Sequence, residues 1–303
     1  MWAGMNPAKV LWASLVECLL LACLATASWA APTKQDSVAA LRARYASLGE
    51  QLQHNQFGRP LFLESTETSN RLTGEIHATL DYPFARVSAG LNDPGQWCDV
   101  ILLHVNTKYC RPAAEPTGAA LRVHIGKKTP EELSDATRLD FTYRVAAASP
   151  EYVDIVLDAK DGPMGTSDYR IELEAVALSN AKTFMHLTYS YAFNFAGRLA
   201  MQTYLSTLGR DKVGFTPASK SGGGQPAYVG GMSGLVERNA MRYYLAIDSY
   251  LESLSTPPAD QLDARLQSWF TATEQYPRQL HEVDRAAYIQ MKRAESLRQQ
   301  SVN

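Results

Sequence analysis

A two-residue alternation of apolar and polar side chains runs, with interruptions, from residue 74 to residue 193. A period of two places the apolar residues on one face of a β-strand and the polar residues on the other. Antiparallel sheets with one solvated face have this pattern, whereas buried parallel strands read as continuous apolar runs. The chain is therefore predicted to contain a large antiparallel sheet. The apolar positions are Ile76, Ala78, Leu80, Leu121, Val123, Ile125, Leu139, Phe141, Tyr143, Val145, Val153, Ile155, Leu157, Tyr169, Ile171, Leu173, Ala175, Met185, Leu187, Tyr189, Tyr191 and Phe193.

Three histidines, His77, His124 and His186, lie in the polar phase of these strands, and we expect each to face solvent. They are not expected to bind a metal, because each lies on a separate strand and none has the close spacing of ligands on one element. His104 lies in an aliphatic run. We expect it to be partly buried and hydrogen-bonded rather than catalytic.

Helical periodicity flanks the alternating region on both sides. Between residues 35 and 54 apolar side chains recur at steps of three and four, which predicts an amphipathic helix that packs on the rest of the protein. A second long helix is predicted from about residue 195 to 208, ending at Gly209. Residues 235 to 254 predict another with a broad apolar face, and Pro277 begins a further one. The fold class is therefore α+β.

The region after Gly209 contains a loop and these last helices. The segment SKSGGGQPAYVGG, residues 219 to 231, predicts a flexible loop and lacks the spacing of a phosphate-binding loop. On the helix that follows, Arg238 and Arg242 lie four residues apart on one face. They could pair with carboxylates or phosphates, although we expect a solvated face. The C-terminal helices are expected either to pack on the domain or to present a surface to an envelope protein partner.

The first thirty residues have the features of a secretory signal peptide. Lys9 supplies a basic start, an apolar stretch follows, and Ser28 and Ala30 give a small-x-small cleavage site. Cleavage near Ala30 predicts a periplasmic or secreted protein. Two alternatives stay open. One is a membrane-tethered lipoprotein, since Leu-Leu-Ala before Cys23 resembles a lipobox, and the other is an uncleaved N-terminal anchor.

Cys98 and Cys110 are the cysteines that remain after cleavage of that signal. Thiols tend to pair in an oxidising compartment. The spacing of these two matches neither the CxxC of a redox couple nor a CxxC…CxxC metal site. A structural disulfide between them is therefore predicted.

Composition and motifs exclude several classes of function. The chain has 29 Lys and Arg against 31 Asp and Glu, without a basic stripe, so nucleic acid is not expected as a partner. It contains neither a GxSxG nucleophile elbow nor an HExxH zinc motif. We therefore predict no catalytic residue, no metal and no cofactor. The 15 tyrosines outnumber the 9 phenylalanines, which favours aromatic surfaces that carry hydroxyl groups.

The order of the elements resembles that of a known superfamily. The segment LDYPFARVSAGLNDPGQWCDV, residues 80 to 100, predicts the end of a strand, a helix begun by proline, an Asp-Pro turn and a second short helix with Trp97. Strands and a closing helix follow. This order resembles the helix-grip architecture of the START-like superfamily (SRPBCC), which includes Bet v 1-like proteins and polyketide cyclases. The resemblance covers about residues 72 to 209 and implies a curved antiparallel sheet gripping a long helix. The N-terminal helix and the C-terminal helical extension predicted above are additions to that domain.

The resemblance also implies a ligand site, and its domain completes the division of the chain. The segments are a signal peptide at 1–30, an N-terminal helix and connection at 31–71, a START-like domain at 72–209, a glycine-rich loop at 210–231 and a helical extension at 232–303. Members of the superfamily typically hold an apolar ligand between the sheet and the closing helix. The implied ligand-binding residues are Phe141, Tyr143, Leu187, Tyr189, Tyr191, Phe193, Leu199 and Tyr204. These side chains could equally fill a solid core.

Three functions stay open on this reading. The first is a secreted or periplasmic protein that binds or carries a hydrophobic or amphipathic molecule such as a lipid. The alternative is a non-catalytic structural or interaction protein of the envelope with a filled core. The third is a cyclase- or hydrolase-like enzyme that uses cavity tyrosines as acid or base. The volume of the interior distinguishes the first two, and polar groups that converge inside it would favour the third.

Overall fold

The computed structural model describes residues 34–116, 118–179, 181–207, 209–218 and 226–301. The predicted signal peptide, Cys23 and the glycines at the centre of the predicted loop lie outside the described residues. None of the helices in the described ranges is long and apolar enough to cross a membrane.

The described residues form a curved antiparallel sheet of eight strands. The strands are β1 (Leu61–Glu67), β2 (Arg71–Leu80), β3 (Thr107–Glu115), β4 (Gly118–Ile125), β5 (Thr137–Ala148), β6 (Tyr152–Asp161), β7 (Thr166–Ala177) and β8 (Thr183–Phe193). Their order across the sheet is β1-β2-β8-β7-β6-β5-β4-β3. Between β2 and β3 the chain forms α3 (Phe84–Leu91) and α4 (Pro94–Leu102), which follow the N-terminal helices described below. The predicted α+β architecture is confirmed.

The alternation places apolar side chains on the concave face as predicted. Ile76, Leu187 and Leu173 lie side by side on β2, β8 and β7, and all three are fully buried. Burying one such side chain contributes about 1.5–3 kcal/mol to folding. The concave face therefore carries the main core.

The first strand of the sheet begins at Leu61, earlier in the chain than the alternation from residue 74 indicates. β1 comes from the stretch that we expected to be an irregular connection, and it pairs with β2 so that Leu61 faces Ala78 and Leu63 faces Ile76. These two leucines are the fully buried positions of the strand, and its second half is largely exposed. A pattern of two apolar residues is too short to identify a strand at the edge of a sheet.

The connection from β2 to β3 folds as the sequence predicts. The Asp93 side chain accepts a hydrogen bond from Gly95 N at 2.7 Å, and the Gln96 side chain accepts one from Asp93 N at 3.1 Å, which caps α4. Trp97 is fully buried and donates its indole N–H to Leu91 O at 2.8 Å. This hydrogen bond joins α4 to the end of α3.

The predicted disulfide between Cys98 and Cys110 is confirmed. It joins α4 to β3, with the two Cα atoms 5.1 Å apart. Both cysteines are buried. The bond therefore holds α4 on β3, the strand at one edge of the sheet.

The long helix across the concave face is α6 (Gly231–Ser253), which corrects the prediction that residues 195–208 close the fold. α6 has 23 residues, about 35 Å at 1.5 Å per residue, and contacts β1, β2 and β8. The predicted closing helix is α5 (Phe195–Ser206), which has 12 residues and leaves Phe195 and Leu199 exposed. α5 is too short and too exposed to cover the sheet, although it follows the last strand directly.

α6 approaches the sheet most closely at Gly74 on β2. A Cβ atom at this position would lie 3.1 Å from Ala240 Cβ and 3.1 Å from Val236 O. Glycine therefore lets the backbones of helix and strand come together. Further along α6, the ring of Tyr243 lies 5.1 Å from that of Tyr189 on β8.

The N-terminal helix packs on the convex face of the sheet. It consists of α1 (Lys34–Ser47) and the short α2 (Gly49–Gln53). A second apolar cluster joins them to the outward side chains of β6, β7 and β8. The buried members of that cluster are Leu41, Leu48, Leu52, Tyr152, Val176 and Phe184.

This packing overturns the expectation that the three strand histidines all face solvent. His77 is 3 % exposed, because Phe62 and Arg44 cover it. His186 is also largely buried, and its ring stacks on that of His77. His124 remains partly exposed. Within the described ranges, no group of three or more His, Cys, Asp or Glu side chains could hold a metal ion.

The C-terminal helices pack on the domain rather than standing apart from it. They are α7 (Gln261–Thr273), the short α8 (Pro277–Leu280) and α9 (Arg285–Ser301). α7 packs on α6, and α9 packs on α4 and on the edge strand β3. Tyr288 donates its hydroxyl to Leu103 O at 2.8 Å, and Gln299 accepts from Cys110 N at 2.8 Å. An envelope partner for these helices stays a prediction.

Candidate ligand-binding cavity

A cavity of about 1280 Å³ lies between the sheet and the helices α5 and α6. Its walls come from the concave face of β4, β5, β7 and β8, from α5 and α6, and from residues at the end of α4. Small-molecule sites typically measure about 300–1,000 Å³. A cavity larger than a typical small-molecule site therefore lies over the part of the sheet that α6 does not cover.

Four tyrosines form an aromatic wall inside this cavity. Tyr169 on β7 stacks on Tyr191 on β8 with ring centroids 5.1 Å apart, and Tyr189 lies 5.7 Å from Tyr191. Tyr243 extends the wall onto α6. Aromatic rings offer a large apolar surface, and their hydroxyl groups add polar contacts.

These tyrosines stay protonated near neutral pH. Burial raises the pKa of Tyr189 well above its usual value, and the neighbouring tyrosines add to the shift. Burial likewise raises the pKa of Tyr169, Tyr191 and Tyr243. These four hydroxyls are therefore poor general bases near neutral pH.

Five of the eight predicted ligand-binding residues line this cavity. They are Phe141, Tyr189, Tyr191, Leu199 and Tyr204. Tyr143 lies elsewhere in the core, where its hydroxyl donates to Leu91 O at 3.2 Å. Leu187 is fully buried in the core, and Phe193 packs beneath the guanidinium of Arg198. Ligand binding by the five lining residues stays a prediction.

Arg238 and Arg242 line the cavity and are 1 % and 3 % exposed, so the expectation of a solvated face is wrong. Arg242 Nη2 donates to Glu282 Oε1 at 2.6 Å, and its Nη1 donates to Asn239 Oδ1 at 3.2 Å. Arg238 Nη1 donates to Val213 O at 3.3 Å. Burial lowers the pKa of Arg238 to about 10, which leaves the side chain charged at neutral pH.

Glu282, between α8 and α9, forms ion pairs with cations from three parts of the chain. Besides Arg242, Lys128 Nζ lies 2.7 Å from its Oε2, and Lys212 Nζ lies 3.7 Å away. Lys128 also donates to the Tyr204 hydroxyl at 3.1 Å. Burial alone would raise the pKa of Glu282, but the attraction of Arg242 and Lys128 outweighs it and lowers the pKa. The carboxylate is therefore ionised.

His104 lies in the cavity wall beside this cluster. It is buried and hydrogen-bonded, as expected from the sequence: its ring stacks on Tyr243 at 5.2 Å, and its Nδ1 accepts from Asn106 N at 3.2 Å. Burial, with the positive charges of Arg242 and Lys292, lowers its pKa well below the usual value. The imidazole is therefore neutral and a weak base.

The cavity opens to solvent between α5 and the connections β4–β5 and β6–β7. The lining residues Met164 and Leu199 are 75 % and 55 % exposed. At the start of α5, the Asn194 side chain accepts from Gly197 N at 3.0 Å, which fixes the helix beside the β6–β7 connection. Met164 and Leu199 therefore place apolar surface at an opening that Lys127 also borders, whereas the arginines lie in the buried part.

Sequence reasoning missed the cationic part of the site. The signal that could have found it is the composition of α6, in which apolar residues such as Val236, Met241, Leu245 and Ile247 occupy several faces of the helix. A helix that is apolar all round is buried on all sides. Charged residues that lie between such apolar positions, as Arg238 and Arg242 do, are then buried as well.

The strand order decides the fold. One strand (β2), two helices, six further strands and a long helix on the concave face follow each other along the chain, and the first of these strands lies beside the last. This is the helix-grip arrangement that the sequence resemblance implies, with β1 added at the edge and α5 inserted before the long helix. The chain has a START-like helix-grip fold.

Comparison with known proteins gives only distant similarities to this chain. No protein-family model matches it, and no curated protein sequence matches it. Truncated norcoclaurine synthase from Thalictrum flavum is 10 % identical over 48 % of this chain and 91 % of that chain, with a TM-score of 0.32. A START superfamily protein from Mycobacterium smegmatis is 12 % identical over 47 % and 93 %, with a TM-score of 0.31. Human StAR-related lipid transfer protein 5 is 10 % identical over 58 % and 91 %, with a TM-score of 0.32. Similarity this distant carries no function over to this chain.

Proposed function

We propose that the protein binds and carries an apolar or amphipathic small molecule, such as a lipid, in the cavity between the sheet and α6. The observation that carries this proposal is the open volume of about 1280 Å³ behind an aromatic wall. Protein interiors are close-packed and contain few voids larger than a water molecule. An apolar ligand that fills this volume would restore the missing contacts and remove apolar surface from water.

We propose further that the protein works outside the cytoplasm, in the periplasm or after secretion. The signal-like first thirty residues and the Cys98–Cys110 disulfide support this location, since disulfides persist in oxidising compartments. N-terminal analysis of the protein from fractionated cells tests it. A chain beginning at Ala31 supports cleavage, and a lipid-modified Cys23 identifies the tethered form. A full-length chain in the cytoplasmic fraction contradicts both.

The open volume weighs against the alternative of an envelope interaction protein with a filled core. General-base catalysis near neutral pH is disfavoured for the cavity tyrosines and for His104. Burial raises the pKa of the four tyrosines and lowers that of His104, so each keeps its neutral form. A binding role requires no such group.

Filling the cavity tests the proposal. Val123 lines the cavity on β4 and is buried, whereas Val145 on β5 is 38 % exposed and lies outside the cavity lining. We expect Val123→Trp to reduce binding of the neutral apolar dye N-phenylnaphthylamine at least tenfold, and Val145→Trp to leave it unchanged. Circular dichroism checks that both variants fold. Equal dye binding by a folded Val123→Trp variant and the wild type would contradict the proposal.

A further inference from the structure

One part of the cavity carries more positive than negative charge. Four cationic side chains and two carboxylates meet there, which leaves an excess of two positive charges. They are Arg238, Arg242, Lys128 and Lys212, against Glu282 and Glu237. Three of the four cations line the cavity directly, and Lys212 stands behind them.

The two carboxylates do not cancel this charge at the cavity surface. Glu237 is fully buried outside the lining, where it accepts hydrogen bonds from Ser65 Oγ at 2.8 Å, Thr216 Oγ1 at 2.7 Å and Phe215 N at 2.5 Å. Its acceptor oxygens are therefore already engaged. Of the two carboxylates in this cluster, Glu282 is the one that lines the cavity.

Two nitrogen atoms of this cluster have no hydrogen-bond partner among the described residues. Arg238 Nη2 and Arg242 Nε are buried without a hydrogen-bond acceptor in the part of the chain that the structure describes. A buried donor left unsatisfied costs about 1–3 kcal/mol, and more when the group is charged. Since both arginines line a cavity, an acceptor from a ligand can reach this site, and a negatively charged acceptor would also offset the excess charge.

The cationic group lies next to the aromatic wall. Leu235 and Tyr243 on α6 line the same cavity as Arg238 and Arg242, and Arg242 precedes Tyr243 in the sequence. Lys128 donates to the hydroxyl of Tyr204, which also lines the cavity. One molecule with a charged end and an apolar body would therefore contact both surfaces.

We propose that the natural ligand is an anionic amphiphile, whose carboxylate or phosphate headgroup binds Arg238 and Arg242, with Lys128 beside it. The guanidinium fork matches either anion by paired N–H···O bonds. This inference rests on the proposed function and specifies the class of its ligand.

Ligands that differ only in headgroup test the inference. Palmitic acid, hexadecyl phosphate, hexadecanol and hexadecyltrimethylammonium each compete with N-phenylnaphthylamine for the full mature chain, below their critical micelle concentrations. We expect the two anions to displace the dye at concentrations at least tenfold lower than hexadecanol, and the cation to be the weakest competitor. The tighter of the two anions identifies a carboxylate or a phosphate source.

Three variants separate direct contact from general electrostatics. Arg238→Met is expected to remove the preference for the anions while leaving displacement by hexadecanol within about twofold, which also shows that the cavity is intact. Glu282→Gln removes the competing carboxylate and is expected to strengthen the preference. Arg42→Met removes an exposed cation on α1, outside the cavity and paired with Glu151, and is expected to change nothing.

The outcomes distinguish the two proposals. If hexadecanol competes as well as palmitic acid and hexadecyl phosphate, the headgroup inference fails and the carrier function stands. If Arg238→Met weakens all four ligands equally in a folded protein, the arginine supports the cavity rather than the anion, and the inference also fails. If neither the dye nor any ligand binds, the proposed function fails with it.

Discussion

The rings of His77 and His186 stack on the convex face of the sheet, with centroids 4.2 Å apart and planes 8° from parallel. His186 lies between two carboxylates, 3.1 Å from Glu75 Oε1 and 3.2 Å from Glu174 Oε2. Burial alone would lower the pKa of His186, but its hydrogen bonds to Glu174 and Glu75 outweigh it and raise the pKa to about 9. Burial, together with the positive charges of His186 and Arg44, lowers the pKa of His77 to about 3. One ring is therefore charged and its neighbour is neutral.

This pair predicts a stability maximum near pH 6.5. The folded pKa of His186 lies above its unfolded value of 6.5, so its contribution is complete below pH 6.5 and is lost as the pH rises towards 9. The folded pKa of His77 lies below its unfolded value, so stability falls as the pH decreases from 6.5 towards 3. At about 1.4 kcal/mol per pKa unit, these two shifts correspond to about 3–5 kcal/mol each. Urea unfolding between pH 4 and pH 9 measures both.

Single substitutions show which histidine causes the loss of stability above pH 6.5 (the alkaline limb) and which causes the loss below it (the acidic limb). His186→Gln should flatten the alkaline limb, and His77→Phe should weaken the acidic limb while keeping a stacked ring. The exposed His54 provides the control, since His54→Gln should leave the profile unchanged. A wild-type profile that is flat from pH 6.5 to pH 9 would contradict this account of the pair.

The close approach of α6 to β2 predicts a large cost for a side chain at Gly74. Gly74→Val forces the helix away from the strand, because even a Cβ would lie 3.1 Å from Ala240 Cβ and Val236 O. We expect a loss of about 1–3 kcal/mol in the free energy of unfolding. Gly49→Ala is the control, since a Cβ there meets no atom within 4 Å. Equal stability of the two variants would show that α6 does not rest on Gly74.

A buried ion network predicts that Glu295 holds α9 on the domain. Glu295 lies 3.1 Å from Lys108 Nζ and 2.8 Å from Lys292 Nζ, and both lysines are fully buried. Burial lowers the pKa of Lys292 to about 8. Glu295→Gln leaves two buried cations without a counter-charge and should cost about 3–5 kcal/mol. Lys292→Met keeps the Lys108–Glu295 pair and should cost less. Urea unfolding that ranks the two variants in the opposite order would overturn this explanation.

The disulfide predicts a reductant-dependent stability. In the chain-entropy model, closing a loop with a sequence separation of 12 stabilises the folded state by about 3 kcal/mol. The wild type should lose about this amount when a reductant is added, and the Cys98→Ala/Cys110→Ala variant should be insensitive to it. Thermal unfolding with and without reductant measures the difference. A wild type that reductant does not destabilise would argue against a structural role for the bond.

Most of the sheet could be predicted because the alternation that marks a strand is carried by the residues of that strand alone. The two-residue period in β2 and in β4 to β8 appears directly in the sequence, and the caps of α4 are adjacent to the helix that they begin. β1 was missed because its pairing with β2, rather than its own two buried leucines, makes it a strand. The choice of α5 as the gripped helix failed for a similar reason. Which helix returns to the sheet after residues 219–231 depends on Gly74 and other contacts distant in sequence.

The candidate site was half predictable for the same physical reason. Tyr189 and Tyr191 were found because the inward phase of a strand is fixed by its alternation. The burial of Arg238 and Arg242 depends on the whole environment of α6, including Glu282 from the connection before α9. His77 was misjudged because α1, more than thirty residues away along the chain, covers the outer face of its strand.

Native mass spectrometry of the protein purified from its own cells, followed by organic extraction and lipid analysis, tests the central claim most directly. The account predicts a stoichiometric apolar or amphipathic molecule that is released with organic solvent, and that is absent from the Val123→Trp variant. Recovery of a ligand-free wild-type protein, which then fails to bind a panel of lipids and apolar dyes, would contradict the carrier function.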